Sequence, residues 1–501
     1  MLFCRVAAAT LALSLPLVVH AGTTSPSLQK TNENAVTYVE TGSDKYAKGD
    51  LDGAISDYDK AIHLNPDFAR AYYGRGLARY DQGSLKDAIA DYDEAIKLNP
   101  QYEDAYVNRA LAKDDQDDHD GAIADETQAL KLDPSDPYAY NNRGWAYYKK
   151  GNIDAALADY TRAIELNPKL SQPYNDRGVA EREQGDDDKA IADYAKAIAL
   201  NPTDDQAYYN RAIARDDKGD VDAAIADTDS AIKLDPKYTD AYVTRAEMKL
   251  DKADWDSAIA DYDQALTLDP KNTAAYNERG LAWYHKGEAD KALADYNKAL
   301  ELDAKNAHAF LNRGNVERLT GKLDAALADY IQALADDPKS DAAYNNIGMI
   351  KQARGDLDGA LADYQQALQI NAKNAEAVSN LSSVSAERDE WPNAMKYASQ
   401  ALQIDGDFAQ AYDNRGVAEF HQRNLDAAIK DYDKALEVDP NDEHAYNNRG
   451  LALLSRGDYD GAMSDFDMAL SINPQFAQAQ HNRAMARWHQ WDVFGAVADY
   501  L

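Results

Sequence analysis

Ten prolines, Pro66, Pro100, Pro134, Pro168, Pro202, Pro236, Pro270, Pro338, Pro440 and Pro474, stand on a single 34-residue grid whose three other points hold Ala304, Ala372 and Gly406. No insertion or deletion breaks the spacing, so residues 35–501 divide into fourteen units beginning at Ala35, Ala69, Glu103, Pro137 and onward, the last one incomplete. A period of this length belongs to stacked arrays: one unit cannot bury its own apolar faces, and its neighbours supply the core.

Each unit carries two apolar stretches of helical spacing around a turn whose commonest form is Gly-Asp-x-Asp, as in Gly219-Asp220-Val221-Asp222. The second stretch ends in Leu-Asn-Pro or Leu-Asp-Pro, where proline cannot continue the helical hydrogen bonds and Asn or Asp tolerates the turn. The expected unit is a helix-turn-helix hairpin. Small residues such as Gly76, Gly144 and Gly280, with Ala95, Ala163 and Ala299, let two helices approach to about 8 Å while Tyr92, Tyr160 and Tyr296 fill the seam.

Together with the first-helix aromatics Tyr72, Tyr140 and Tyr276, and an alanine at the start of every second helix from Ala54 to Ala496, this pattern resembles the tetratricopeptide repeat family from about Ala35 to Leu501. The resemblance implies an all-α fold, a right-handed superhelical solenoid of about fourteen 34-residue repeats whose first helices line a concave groove. The chain departs from the family at the position just before the small residue, where the usual leucine is Arg in eleven units, including Arg75, Arg143 and Arg449. An Asp holds the position before the second-helix aromatic site in thirteen units, for example Asp91, Asp159 and Asp465, so the two rows are expected to form a structural ion-pair ladder that fixes geometry. In unit 375–408 both rows change together, to Leu381 and Tyr397. That joint change points to pairing within a unit, with pairing to a neighbour left open.

The chain carries a formal charge of -34, which repels phosphate backbones and anionic headgroups and argues against nucleic acid as a partner. Residues 1–21 read as a signal peptide: Arg5 supplies the positive end, Val6 to Val19 the apolar stretch, and Val19-His20-Ala21 the cleavage site. The stretch is short for a membrane span and Pro16 interrupts it, so no membrane insertion is expected. The single cysteine, Cys4, would leave with this leader. Residues 22–34 are expected to be a linker, and the mature protein to be periplasmic or secreted.

No residues interrupt the array, and an active site on a repeat scaffold normally needs such interruptions. A zinc-binding His-Glu-x-x-His, a Gly-x-Ser-x-Gly elbow and a dinucleotide glycine fingerprint are all missing from the sequence. Gly314 to Gly321-Lys322 is too long for a phosphate loop, and the run Asp114 to Gly121 lacks the closing Glu of a calcium loop. His285 with His308, and His421 with His444, fall about 15 Å apart on neighbouring helices, too far for a shared metal. No enzyme activity, cofactor or metal is therefore expected.

One first-helix position holds Asn in nine units: Asn108, Asn142, Asn210, Asn312, Asn346, Asn380, Asn414, Asn448 and Asn482. By resemblance to the long array of O-linked N-acetylglucosamine transferase, these form an asparagine ladder that holds an extended peptide by its backbone. Helices about 8–10 Å apart would place one rung at about every third residue of such a chain. Leu77, Trp145, Ile213, Leu281 and Met349 lie near carboxylates at Asp114, Asp216, Asp217 and Asp251, which suits a partner with apolar and basic side chains. The family's carboxylate clamp is not reproduced, since Asn315 is followed by Glu376 where a base is needed. The function expected is a protein-interaction scaffold of the cell envelope, with an arm of a larger secretion or polysaccharide-export machine as the alternative. The spacing carries no signal for oligomeric state.

Overall fold

The computed structural model describes residues 26–500, and every regular element among them is a helix. The leader 1–21 and Cys4 lie outside the described residues. The chain divides into two compact units, one ending at Lys252 and one beginning at Ala253. The first holds the helices from Pro26–Ala47 to Thr239–Asp251, and the second those from Trp255–Leu268 to Val493–Tyr500. Within each unit, successive helices pack as hairpins in chain order. The all-α repeat array expected from the proline grid is the fold observed.

First helices (helix A below) start at Ala69, Glu103, Pro137, Asp205, Thr273 and Glu443, on the grid read from the sequence. The opening helix is the exception. It runs from Pro26 to Ala47, so residues 26–34, expected as part of a linker, are helical instead.

The turn to the second helix (helix B) has one fixed requirement, a residue in the left-handed region. All fourteen repeats meet it, nine with glycine, such as Gly49 at φ 80° and Gly457 at φ 88°. Asp117, Ala253, Asp389, Arg423 and Trp491 adopt the same conformation at φ 57–66°, which costs a side chain what glycine avoids. In seven repeats the Asp or Asn that follows caps helix B: Asp50 accepts from Gly53 N, Asp118 from Gly121 N and Asn152 from Ala155 N. At the far end, Asn65, Asn99 and Asp133 turn back to accept from the backbone two residues on, which sets the step into the proline turn.

The seam inside each hairpin is built as expected. Ala88, Tyr92 and Ala95 are fully buried, and a Cβ on Gly76 would stand 2.6 Å from the Tyr92 ring. In repeat 375–408 the usual polar ladder is replaced by apolar packing: Val378, Leu381 and Val384 are buried, and Ser382 donates to the Ala394 carbonyl at 2.7 Å.

Candidate peptide-binding face

Helix A is held in place by arginine. In ten repeats the Arg of helix A grips the Asp of its own helix B, sixteen residues on, through two parallel N–H bonds. In Arg279–Asp295, Nε donates to Oδ2 at 2.8 Å and Nη2 to Oδ1 at 2.6 Å. The remaining Nη1 turns to the preceding repeat, where Arg75 reaches Asp59 at 2.5 Å, Arg109 reaches Asp93 at 2.6 Å and Arg449 reaches Asp433 at 2.7 Å. Both pairings left open by the sequence are therefore made by the same side chain. The second arm had a legible signal that the sequence reading missed: the motif Asp-aromatic-Asp, as in Asp91-Tyr92-Asp93, whose first Asp serves its own Arg and whose second serves the next.

The nine ladder asparagines all lie between repeats, and none is exposed. Each Nδ2 donates to the preceding repeat. In seven the acceptor lies 35 residues earlier, one place before the ladder position on the neighbouring helix A: Asn312 reaches Asn277 at 3.2 Å, Asn448 reaches Asp413 at 3.0 Å and Asn482 reaches Asn447 at 2.8 Å. Asn346 reaches Asn315 at 2.8 Å, and Asn142 reaches Glu126 of the preceding helix B at 3.1 Å. The ladder thus stitches adjacent repeats together. One N–H of each amide is committed to that bond, and Asn108 gives its second to the Asp104 carbonyl at 2.8 Å, so each of the other eight keeps at most one further N–H rather than the free amide pictured from sequence.

Models of the tetratricopeptide repeat match residues 39–103, 244–309 and 414–480, residues 137–170 and 342–374, and residues 205–238. A further TPR repeat model matches residues 115–151, 178–215 and 314–353, so the matched segments span well over half of the chain. The chain belongs to the tetratricopeptide repeat family. Among solved structures, the tetratricopeptide array is similar to a chain of the APC/C hetero-tetramer Cut9-Hcn1, with a TM-score of 0.50 at 14% identity over 92% of this chain and 98% of that one. It is also similar to MamA, at 27% identity over 34% of this chain and 93% of that one, with a TM-score of 0.32. The Cut9-Hcn1 likeness shows the fold alone. No curated protein matches the chain.

Around the ladder, the array's helix-A residues are acidic and partly desolvated. Burial, with Asp104 and Asp136 close by, pushes the Glu103 carboxyl up to about 8. Burial also raises Asp176 and Asp413, each to about 6, although Asn141, Gln172 and Asn175 donate to the first and Asn448 to the second. Repeat 103–136 is the most acidic, with eleven acids against three bases. Its run from Asp114 to Asp120 is not a calcium loop, because its members are used one by one. Asp114 bonds His119 Nδ1 at 2.7 Å, Asp115 accepts from Tyr80 at 2.5 Å, Asp118 caps its helix and Asp120 pairs with Lys150.

Three histidines stack on rings of the previous repeat: His285 on Trp255, His421 on Trp391 at 3.8 Å and His489 on Tyr459. Among the described residues there is no cluster of three or more His, Cys, Asp or Glu placed to hold a metal. No helix among them is long and apolar enough to cross a membrane.

Proposed function

We propose that this tetratricopeptide array is a non-catalytic scaffold that holds partner proteins or extended peptides along its helix-A faces, outside the cytoplasm. The carrying observation is the ladder: one asparagine per repeat, at one place on helix A in nine repeats, with carboxylates and apolar side chains beside it. A surface repeated at this spacing fits a ligand that is itself repetitive, and a polypeptide backbone is such a ligand. A chain of charge -34, with carboxyls such as Glu103 held half-buried against one another, favours a partner that brings positive charge.

Fluorescence anisotropy with two unfolded peptides of equal length, one rich in lysine and one in glutamate, tests this reading. The lysine-rich peptide should bind more tightly and lose affinity as salt rises; equal binding at low salt would reject it. The export reading, supported by the leader alone, predicts that protein recovered from an envelope fraction begins at Gly22. Recovery with Arg5 still attached would count against it.

A further inference from the structure

Repeat 103–136 breaks the seam rule in one place. Where its neighbours set a tyrosine, Tyr92 or Tyr160, it places Glu126, 1% exposed, and Ala110 stands where they have glycine. Glu126 Oε1 accepts from Asn142 at 3.1 Å, but Oε2 is buried without a hydrogen-bond partner. So is Oδ1 of Asn141, 8% exposed, on the next helix A. Both residues line one cleft of about 20 Å³, together with Leu111, Asp114, Asp115 and Trp145 among others.

Two buried acceptors on one small cleft, neither bonded to a cation and both beside Asp114 and Asp115, make an unusual combination. A carboxylate so placed needs either a proton or a positive partner. Burial drives Glu126 toward the protonated form in the free protein, although Asn142 donates to it. The free volume is that of one water molecule, which is also the size of one ammonium group. A planar guanidinium with its five N–H donors is too large for it.

From this geometry we infer that the cleft between repeats 103–136 and 137–170 is a subsite for a primary ammonium, the side chain of a lysine in a bound polypeptide. The ammonium has three N–H donors, and the cleft offers Glu126 Oε2, Asn141 Oδ1 and the Asp114 carboxylate. The aliphatic stem would pass between Leu111 and the Trp145 ring. That ring already carries a cation, since Lys149 Nζ lies 5.8 Å above it. This inference deepens the peptide-binding reading and rests on it for the source of the lysine, but not for the site itself.

The test uses the full chain, an unfolded lysine-rich peptide, the same peptide with every lysine replaced by arginine, and n-butylammonium as a bare probe of the cleft. The lysine peptide should bind the parent at least about tenfold more tightly than the arginine peptide. Glu126→Gln, which keeps the shape, should abolish that preference while leaving arginine-peptide binding unchanged. Trp145→Leu, in the cleft lining, should reduce it without touching the buried acid, and melting curves of both variants check their folding. Chemical shifts of Glu126 and Trp145 should move when n-butylammonium is added. Peptides that bind with no lysine preference, or with one that survives Glu126→Gln, overturn the subsite and leave the peptide-binding reading standing. Butylammonium bound at Glu126 with neither peptide bound does the reverse. A crystal structure with only water in the cleft at saturating butylammonium also overturns the subsite.

Discussion

Gly450 and Phe466 share a space that admits no further atom: a Cβ on Gly450 would stand 2.6 Å from Cε1 of the Phe466 ring. The same relation recurs for Gly280 with Tyr296 and Gly314 with Tyr330, each at 2.7 Å. The small residue and the aromatic are thus one unit of packing, and the closeness of helix A to helix B depends on both.

Gly450→Ala should therefore destabilise hairpin 443–476 by about 1–3 kcal/mol despite the better helix propensity of alanine. Adding Phe466→Thr, which copies the fully buried Ala212 and Thr228 of repeat 205–238, should relieve the clash. Amide hydrogen exchange across residues 443–472 reads the difference, since a repeat array opens locally.

Arg449→Leu should cost more, about 3–5 kcal/mol, because it strands the buried Asp465 and also releases Asp433 of the preceding repeat. The double variant Arg449→Leu with Asp465→Tyr, which copies Leu381 and Tyr397, should recover most of the loss. Urea unfolding of both variants checks this. A double variant no better than the single would mean that the bond to Asp433 is the larger part.

Asn312→Ala should cost about 0.5–1.5 kcal/mol at the contact between repeats 273–306 and 307–340, the worth of one buried amide bond. The same variant should weaken an extended peptide only slightly if the ladder's main task is to join repeats. A tenfold loss of peptide affinity with unchanged stability would assign it chiefly to the ligand.

The buried Asp176, pushed up to about 6, gives a signed dependence on pH. Its folded-state proton affinity exceeds that of the unfolded chain, so its contribution to stability is full below about pH 4 and is lost as pH rises through about 6. Asp176→Asn lacks that loss. Its stability relative to the parent should move in the variant's favour by about 1–3 kcal/mol between pH 4 and pH 7. Denaturation at both pH values measures it, and Asp413→Asn should behave alike.

Most of the fold was legible because each constraint repeats. Proline every 34 residues, glycine before aspartate and alanine against tyrosine each say the same thing many times, so one odd residue such as Ala253 at φ 57° does not disturb the reading. The opening helix was missed because residues 26–34 precede the first grid point and carry no periodic signal. The intra-repeat partner of Arg was legible from the joint change at Leu381 and Tyr397. Its second partner was legible only in part: the second Asp of the Asp-aromatic-Asp motif stands sixteen residues before the next Arg, as Asp59 does for Arg75, but Thr127 holds that place for Arg143. The ladder positions could be read, but not their partners. An amide pointing at a ligand and one pointing at the adjacent helix leave the same pattern in the sequence. Glu126 could be seen as a departure from tyrosine, but its unpartnered oxygen exists only once Asn141 is brought beside it.

Hydrogen exchange of the whole chain, with and without the saturating lysine-rich peptide, tests the central claim that helix A is the face that binds. The account predicts slowed exchange in helix-A segments such as 103–114, 137–149 and 307–319, with helix B largely unchanged. Protection confined to helix-B segments such as 119–132 and 323–336, or no protection anywhere with the peptide bound, would contradict it.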